Sequence, residues 1–207
     1  GCLVEENSRI LQSLENRGFE IALHGYHHEL WGPAKWYLRD RPISLREKVA
    51  LLEKCKELFL RSGLRSPVSF RAPNLVSDRQ TMNLLTHHGF RVDSSLPSQN
   101  GALPVPHLGE PRGLVRIPVS ADPHPELSCT FLIPHFRFRV CNLKTLSDMS
   151  SQECVKFASG IVAIQQSLGV HPHLVVLAHS WEFFDAHDGR DEYRYCSRSN
   201  FEVLRNF

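Results

Sequence analysis

A rhythm in the chain constrains its fold more than any single residue does. Four times a helical pattern ends at a glycine and a short apolar run follows within a few residues. The first helical pattern carries Ile10, Leu11 and Leu14 on one face, stops at Gly18, and leads into Phe19 to Leu23. The second opens with the capping box Ser44-Leu45-Arg46-Glu47 and turns Leu45, Val49, Leu52, Cys55 and Phe59 inward. It stops at Gly63 before Val68 to Phe70. The third opens at Ser77, with Gln80 three residues on, and closes at Gly89 before Phe90 to Val92. The fourth opens at Ser150 with Glu153, and closes at Gly169 before Leu174 to Ala178. Glycine at each stop supplies the left-handed residue that ends a helix. Helix, glycine and buried strand in repetition predict an α/β fold, with parallel strands joined by helical crossovers. A doubly wound sheet and a barrel both satisfy the pattern. A further strand is expected over Leu114 to Val119, after the Pro- and Gly-rich loop 96–113, and Phe136 to Val140 alternates like a half-exposed strand.

Length and charge narrow the classes. The 207 residues read as one domain over 1–207, with 42% hydrophobic and 22% charged residues. A net charge of +2 argues against a nucleic-acid or membrane-surface binder. No apolar run reaches the roughly 18 residues of a membrane span. Six cysteines without a C-x-x-C pair exclude zinc knuckles and thioredoxin-type motifs, and free thiols are expected. Localisation stays open.

Twelve histidines are many for such a core, so their placement matters. His24, Arg71, Asp93 and His179 stand at the ends of the four expected strands, where α/β barrels carry their chemistry. His24 and His28 form an H-x-x-x-H pair beside Gly25, a spacing that lets two imidazoles meet one cation. Chance alone supplies roughly 0.7 such pairs in this composition, so position after a buried strand carries the reading. Arg71, locked by Pro73, could orient a carboxylate or make a rim salt bridge. Asp93 could be a carboxylate that supports the site or a turn initiator, and the turn is the favoured reading. His179, ahead of Trp181, suits a general acid; of Glu182, Asp185, His187 and Asp188 beyond it, most read as a solvated loop. The loop between His28 and Ser44 carries Trp31, Trp36 and Tyr37, which could stack on sugar rings or pack against the rim.

In order along the chain, these motifs resemble those of the polysaccharide deacetylases, carbohydrate esterase family four, also called the NodB-homology domain. Gly18-Phe19-Glu20-Ile21-Ala22-Leu23-His24-Gly25-Tyr26-His27-His28 is similar to the family's histidine-pair motif. Arg71-Ala72-Pro73 is similar to its R-x-P motif. Gly89 to Ser95 and Leu177-Ala178-His179 resemble its later motifs. The resemblance implies a distorted (β/α)7 barrel and a divalent metal, zinc in the usual case, held by His24 and His28. It also implies an acylated carbohydrate or amino sugar as substrate, with His179 and Arg71 catalytic and Trp31, Pro73 and Trp181 at the substrate. Gly25 stands where the family usually has Ser or Thr, and Asn74 where an aromatic often follows the proline. Both are expected to alter substrate contacts. The family's T-F-D-D motif, source of the base and a third metal ligand, does not occur in these 207 residues. The expectation is a barrel incomplete at its N-terminus, with Cys2 to Asn7 a loop entering the first helix. Two histidines alone should then bind zinc weakly. The activity implied is removal of acyl groups from an N- or O-acylated sugar. An inactive carbohydrate-binding or interaction domain and a metal-independent amide hydrolase are the alternatives.

Overall fold

The computed structural model describes residues 2–96, 105–109, 112–122, 124, 126–130, 133–186, 193–195 and 198–207. For residues 2–3, 126–130, 133–137, 180–181, 184–186, 193–195 and 198 it describes the backbone alone. The fold is α/β, with helices and a mixed sheet, and the chain divides into two compact units. Unit 1 comprises Gly1–Leu96 and Pro106–Ile117; unit 2 comprises Pro97–Val105 and Pro118–Phe207.

Unit 1 begins with helices α1 (Cys2–Glu6) and α2 (Ser8–Asn16), so Cys2 to Glu6 is helical rather than the expected loop. Helix α3 (Leu45–Arg61) follows the capping box predicted at Ser44 and Glu47, both halves of which form. Strand β1 (Ser69–Phe70), helix α4 (Arg79–His87) and strand β2 (Val92–Asp93) come next. Strands β3 (His107–Leu108) and β4 (Val115–Arg116) complete the sheet in the order β1-β2-β4-β3. The first three of these are parallel, and β3 runs antiparallel to β4. Leu23 adds one parallel bridge to Phe70 on the other side of β1. Leu23, Phe70, Asp93 and Arg116 therefore lie in one row across the sheet. The expected glycine stops hold, with Gly18, Gly63 and Gly89 all at positive φ.

Four details differ from expectation. Only Leu23 of the run Phe19 to Leu23 pairs, and Phe19 is exposed. Helix α4 is capped by Asp78, whose carboxylate accepts the Thr81 N–H, rather than by Ser77. Ile10 is exposed, and α2 has no buried residue. In α3 the inward stripe is Lys48, Leu52, Cys55, Leu58 and Phe59, while Leu45 is exposed. The unit's core joins Leu23, Trp31, Leu52, Phe59, Phe70 and Phe90, among others.

Unit 2 holds the antiparallel pair β5 (Glu126–Thr130) and β6 (Ile133–Arg137), and helices α5 (Leu143–Ser147) and α6 (Ser151–Ser167). A 3-10 turn (Ser180–Phe183), the pair β7 (Phe184–Ala186) and β8 (Tyr193–Tyr195), and helix α7 (Arg198–Asn206) follow. Its core centres on Cys141, Leu146, Phe157 and Ile161. The capping box at Ser150 and Glu153 forms as expected, and Gly169 takes positive φ. Leu174 to Ala178 contributes only the bridge from Leu177 to Asn142, not a full strand. One cause is local: the Val175 N–H bonds to the Ser120 hydroxyl, where a ladder needs a carbonyl. Cys55, Cys141 and Cys154 are free thiols, and burial pushes Cys141 up to about 12. Among the described residues no helix is long and apolar enough to cross a membrane.

Candidate functional site

The candidate site lies in unit 1, at the C-terminal ends of parallel chain segments. The Arg71 N–H bonds to the Leu23 carbonyl and the Ser94 N–H to the Phe70 carbonyl, so His24, Arg71 and Ser94 form the next row along. In parallel sheets this end of the strands is where ligands are met. The backbone is unusual there. His28, Asn74 and Leu75 are the non-glycine residues described with positive φ, at 68°, 56° and 55°, and all stand in the two loops leaving this row. Such conformations cost of order 1–3 kcal/mol each and persist only where neighbours enforce them.

His24 points Nδ1 at the Arg71 carbonyl, 2.7 Å away. A carbonyl only accepts, so Nδ1 carries a proton, and in the neutral ring the lone pair is then on Nε2. That is the tautomer that binds a metal through Nε2, with the outer hydrogen bond that metal-bound histidines normally make. The His28 ring stands nearly perpendicular to it, with centroids 5.4 Å apart. Two imidazoles sharing one tetrahedral ion at about 2.0–2.1 Å would have centroids about 5 Å apart. The pair therefore fits a zinc-like cation in chemistry and spacing. Among the described residues no group of three or more His, Cys, Asp or Glu gathers to hold a metal. His27, between them, packs its ring edge-on against Tyr26.

The turn joining the two histidines is braced by Glu29, a residue outside the sequence motifs. Its carboxylate accepts the N–H groups of Tyr26 at 3.0 Å and His27 at 2.7 Å. Burial disfavours its charge, but these backbone donors and the nearby Trp31 indole outweigh that, and the carboxyl sits below its usual range. The glycine at position 25 follows from the same contact. It has φ +73°, and a Cβ there would lie 2.8 Å from Glu29 Oε2 and 3.2 Å from both Pro73 Cγ and Trp31 Nε1. The departure from Ser or Thr thus reflects a filled space rather than a changed substrate contact.

Arg71 is half-buried and donates from Nε to the Ser94 carbonyl at 3.3 Å and from Nη2 to the Ser94 hydroxyl at 2.8 Å. Burial lowers its pKa, opposed by the Asp93 charge. Asp93 is no simple turn initiator. Fully buried, it accepts Arg116 Nε at 3.0 Å and both the N–H and the hydroxyl of Ser95. The Ser95 oxygen in turn accepts the Ala72 N–H at 2.8 Å. This chain of bonds ties β4, β2 and the Arg71 loop together.

The substrate residues are placed differently from expectation. Trp31 is 0% exposed and packs edge-on against Phe70, so it offers no surface to a sugar. Pro73 is buried beside Gly25 and packs the loop. The Trp181 side chain lies outside the described residues. Trp36, by contrast, is 93% exposed and meets Tyr37 edge-on at the tip of the same loop. In unit 2, His179 Nδ1 lies 3.2 Å from Glu182 Oε2, and its backbone N–H bonds to the same carboxylate. Glu182 is therefore a partner of His179. A concavity of about 370 Å³ lies at the other end of the strands, beside Phe19, Ile21, Arg65 and Val68, and includes none of these site residues.

No family model matches the chain. Over 111 residues it is 32% identical to the peptidoglycan deacetylase-like protein FGM2 of Gibberella zeae, a match covering 54% of this chain and 30% of that protein. A solved structure from Mycobacterium smegmatis, described as a polysaccharide deacetylase, superposes with a TM-score of 0.52 at 22% identity, covering 84% of this chain and 54% of that one. A second so described, from Pseudomonas aeruginosa, has a TM-score of 0.49 at 14% identity over 84% of this chain and 51% of its own. The chain spans about half the length of the solved structures and under a third of the curated relative. In part of its sequence, and in fold through the mycobacterial structure, the chain resembles polysaccharide deacetylases.

Proposed function

We propose that the protein is a metal-dependent hydrolase that removes acyl groups from an N- or O-acylated sugar, its sheet forming part of a distorted (β/α)7 barrel. The observation that carries the reading is the His24–His28 pair, with His24 held in its metal-binding tautomer by the Arg71 carbonyl. The similarity to a peptidoglycan deacetylase-like protein supports the same chemistry. His24 and His28 would hold the ion, zinc by the chemistry of two imidazoles. When bound, it supplies Lewis acidity toward water and an acyl carbonyl.

The chain's own residues do the rest. Arg71, pinned on Ser94, presents a fixed cation beside the histidines and serves to orient a carboxylate. His179 serves as the acid. Its Nδ1 faces the Glu182 carboxylate, which orients the ring toward delivering a proton to a departing amine or alkoxide. Trp36 takes over the sugar-stacking role that the buried Trp31 cannot fill. The test is acetate release from N-acetylated oligosaccharides by the protein. Activity should vanish with a chelator, return with zinc, and be lost in His24→Ala and His28→Ala. Undiminished turnover by a zinc-free preparation would overturn the metal reading.

A further inference from the structure

Lys48 occupies a core position of α3, its side chain only 2% exposed, and every donor of its ammonium is used. Nζ lies 3.1 and 3.0 Å from the two Asp78 carboxylate oxygens and 2.9 Å from Thr81 Oγ1. Asp78 Oδ1 also caps α4 through the Thr81 N–H at 2.7 Å. Thr81 Oγ1 lies 2.6 Å from the Trp31 carbonyl, to which it can donate. Trp31 bridges Ser77 through its backbone, and its indole nitrogen, buried without a hydrogen-bond partner among the described residues, lies against Gly25 of the histidine turn. Glu29 in turn grips the two N–H groups between His24 and His28. One chain of contacts thus runs from the buried ammonium to the histidine turn, entirely within unit 1.

Burying an ammonium, here against a carboxylate that is itself partly exposed, is a poor way to gain stability. Desolvation costs several kcal/mol per ion, and well-packed apolar residues often replace such pairs without loss. What an ammonium with three fixed acceptors gives, and an apolar cluster does not, is one defined geometry. We propose that Lys48, Asp78 and Thr81 form a positioning device for the histidine pair, fixing Trp31 and through it the Glu29-braced turn. None of the three touches a ligand. The inference rests on reading His24 and His28 as metal ligands.

The test uses the whole chain and the double variant Lys48→Met/Asp78→Asn, which removes both charges and keeps a side-chain cap on α4. Zinc is titrated while the histidine ring nitrogens are followed by 1H–15N NMR, with a thermal melt alongside. A positioning role predicts zinc affinity at least tenfold below that of the parent, the size expected when support of a ligand is lost. It also predicts shifted His24 and His28 resonances before zinc is added. Unchanged affinity and unchanged rings would overturn it, whatever the melt shows. Thr81→Val, which cuts the link to the Trp31 carbonyl and removes one of the three acceptors of Lys48 while keeping its ion pair with Asp78, decides between the same two outcomes if the double variant does not fold. If the parent itself binds no zinc, the metal reading fails. The ring resonances without metal then still decide whether the device positions the pair.

Discussion

At the scale of single residues, the site is set by how its side chains fill one another's space. Gly25 shows this most directly, since both its φ of +73° and the absent Cβ are needed. Alanine there would meet the Glu29 carboxylate at 2.8 Å and adopt a left-handed conformation. We expect Gly25→Ala to cost about 1–3 kcal/mol in urea unfolding, the range for enforced backbone strain. We also expect it to weaken zinc binding by His24 and His28. Asp93 shows the complementary case. Its position at a strand end is visible in the sequence, but its partners Arg116, Ser95 and Ala72 come from separate segments. Removing the carboxylate would leave Arg116 without its buried partner, at about 3–5 kcal/mol. Chemical denaturation of Asp93→Ala measures that loss.

At the scale of elements, local chemistry is legible wherever the interaction is local. Both capping boxes involve residues three apart, and both form as the sequence indicates. Glu47 is held down to about 2, first by Arg41 and then by the Ser44 N–H and hydroxyl. Glu153 is lowered by Ser150 in the same way. Such a carboxylate stabilises the fold fully above its unfolded pKa. The benefit fades as pH falls through the folded value, for Glu47 from about 4.5 to about 2. The contribution of Glu47 to the urea midpoint should therefore be constant above about pH 5 and fall below it. Glu47→Gln should shallow the fall, as read from midpoints at successive pH values. The inward face of α3 is harder to read because a lysine suggests a surface position. The spacing of Lys48 to Leu52, Cys55 and Phe59 is that of one helical stripe, and only its polarity hides it. Apolar runs overstate the strands for a different reason. A strand exists by its partners, and the Val175 N–H turns to a serine hydroxyl instead.

At the scale of the whole molecule, the near-balanced charge of +2 provides no long-range field to gather a charged ligand. A substrate must be held by contact, and neutral sugar rings suit an exposed aromatic such as Trp36. Turnover of a neutral acylated oligosaccharide should change less than about twofold between low and high salt. Trp36→Ala should raise KM for longer oligosaccharides more than for short ones while kcat holds. Steady-state kinetics across chain lengths and salt concentrations checks both.

The sequence by itself determined the α/β class, the glycine stops, the two capping boxes and the pairing of His24 with His28. All of these depend on residues close in the chain, where spacing translates directly into geometry. Tertiary structure decided which aromatics are buried, since Trp31 and Trp36 are five residues apart and differ completely in exposure. It also brought Lys48 to Asp78 and Thr81, and Arg116 to Asp93. Contacts between distant segments depend on how the elements pack, and no local spacing encodes them.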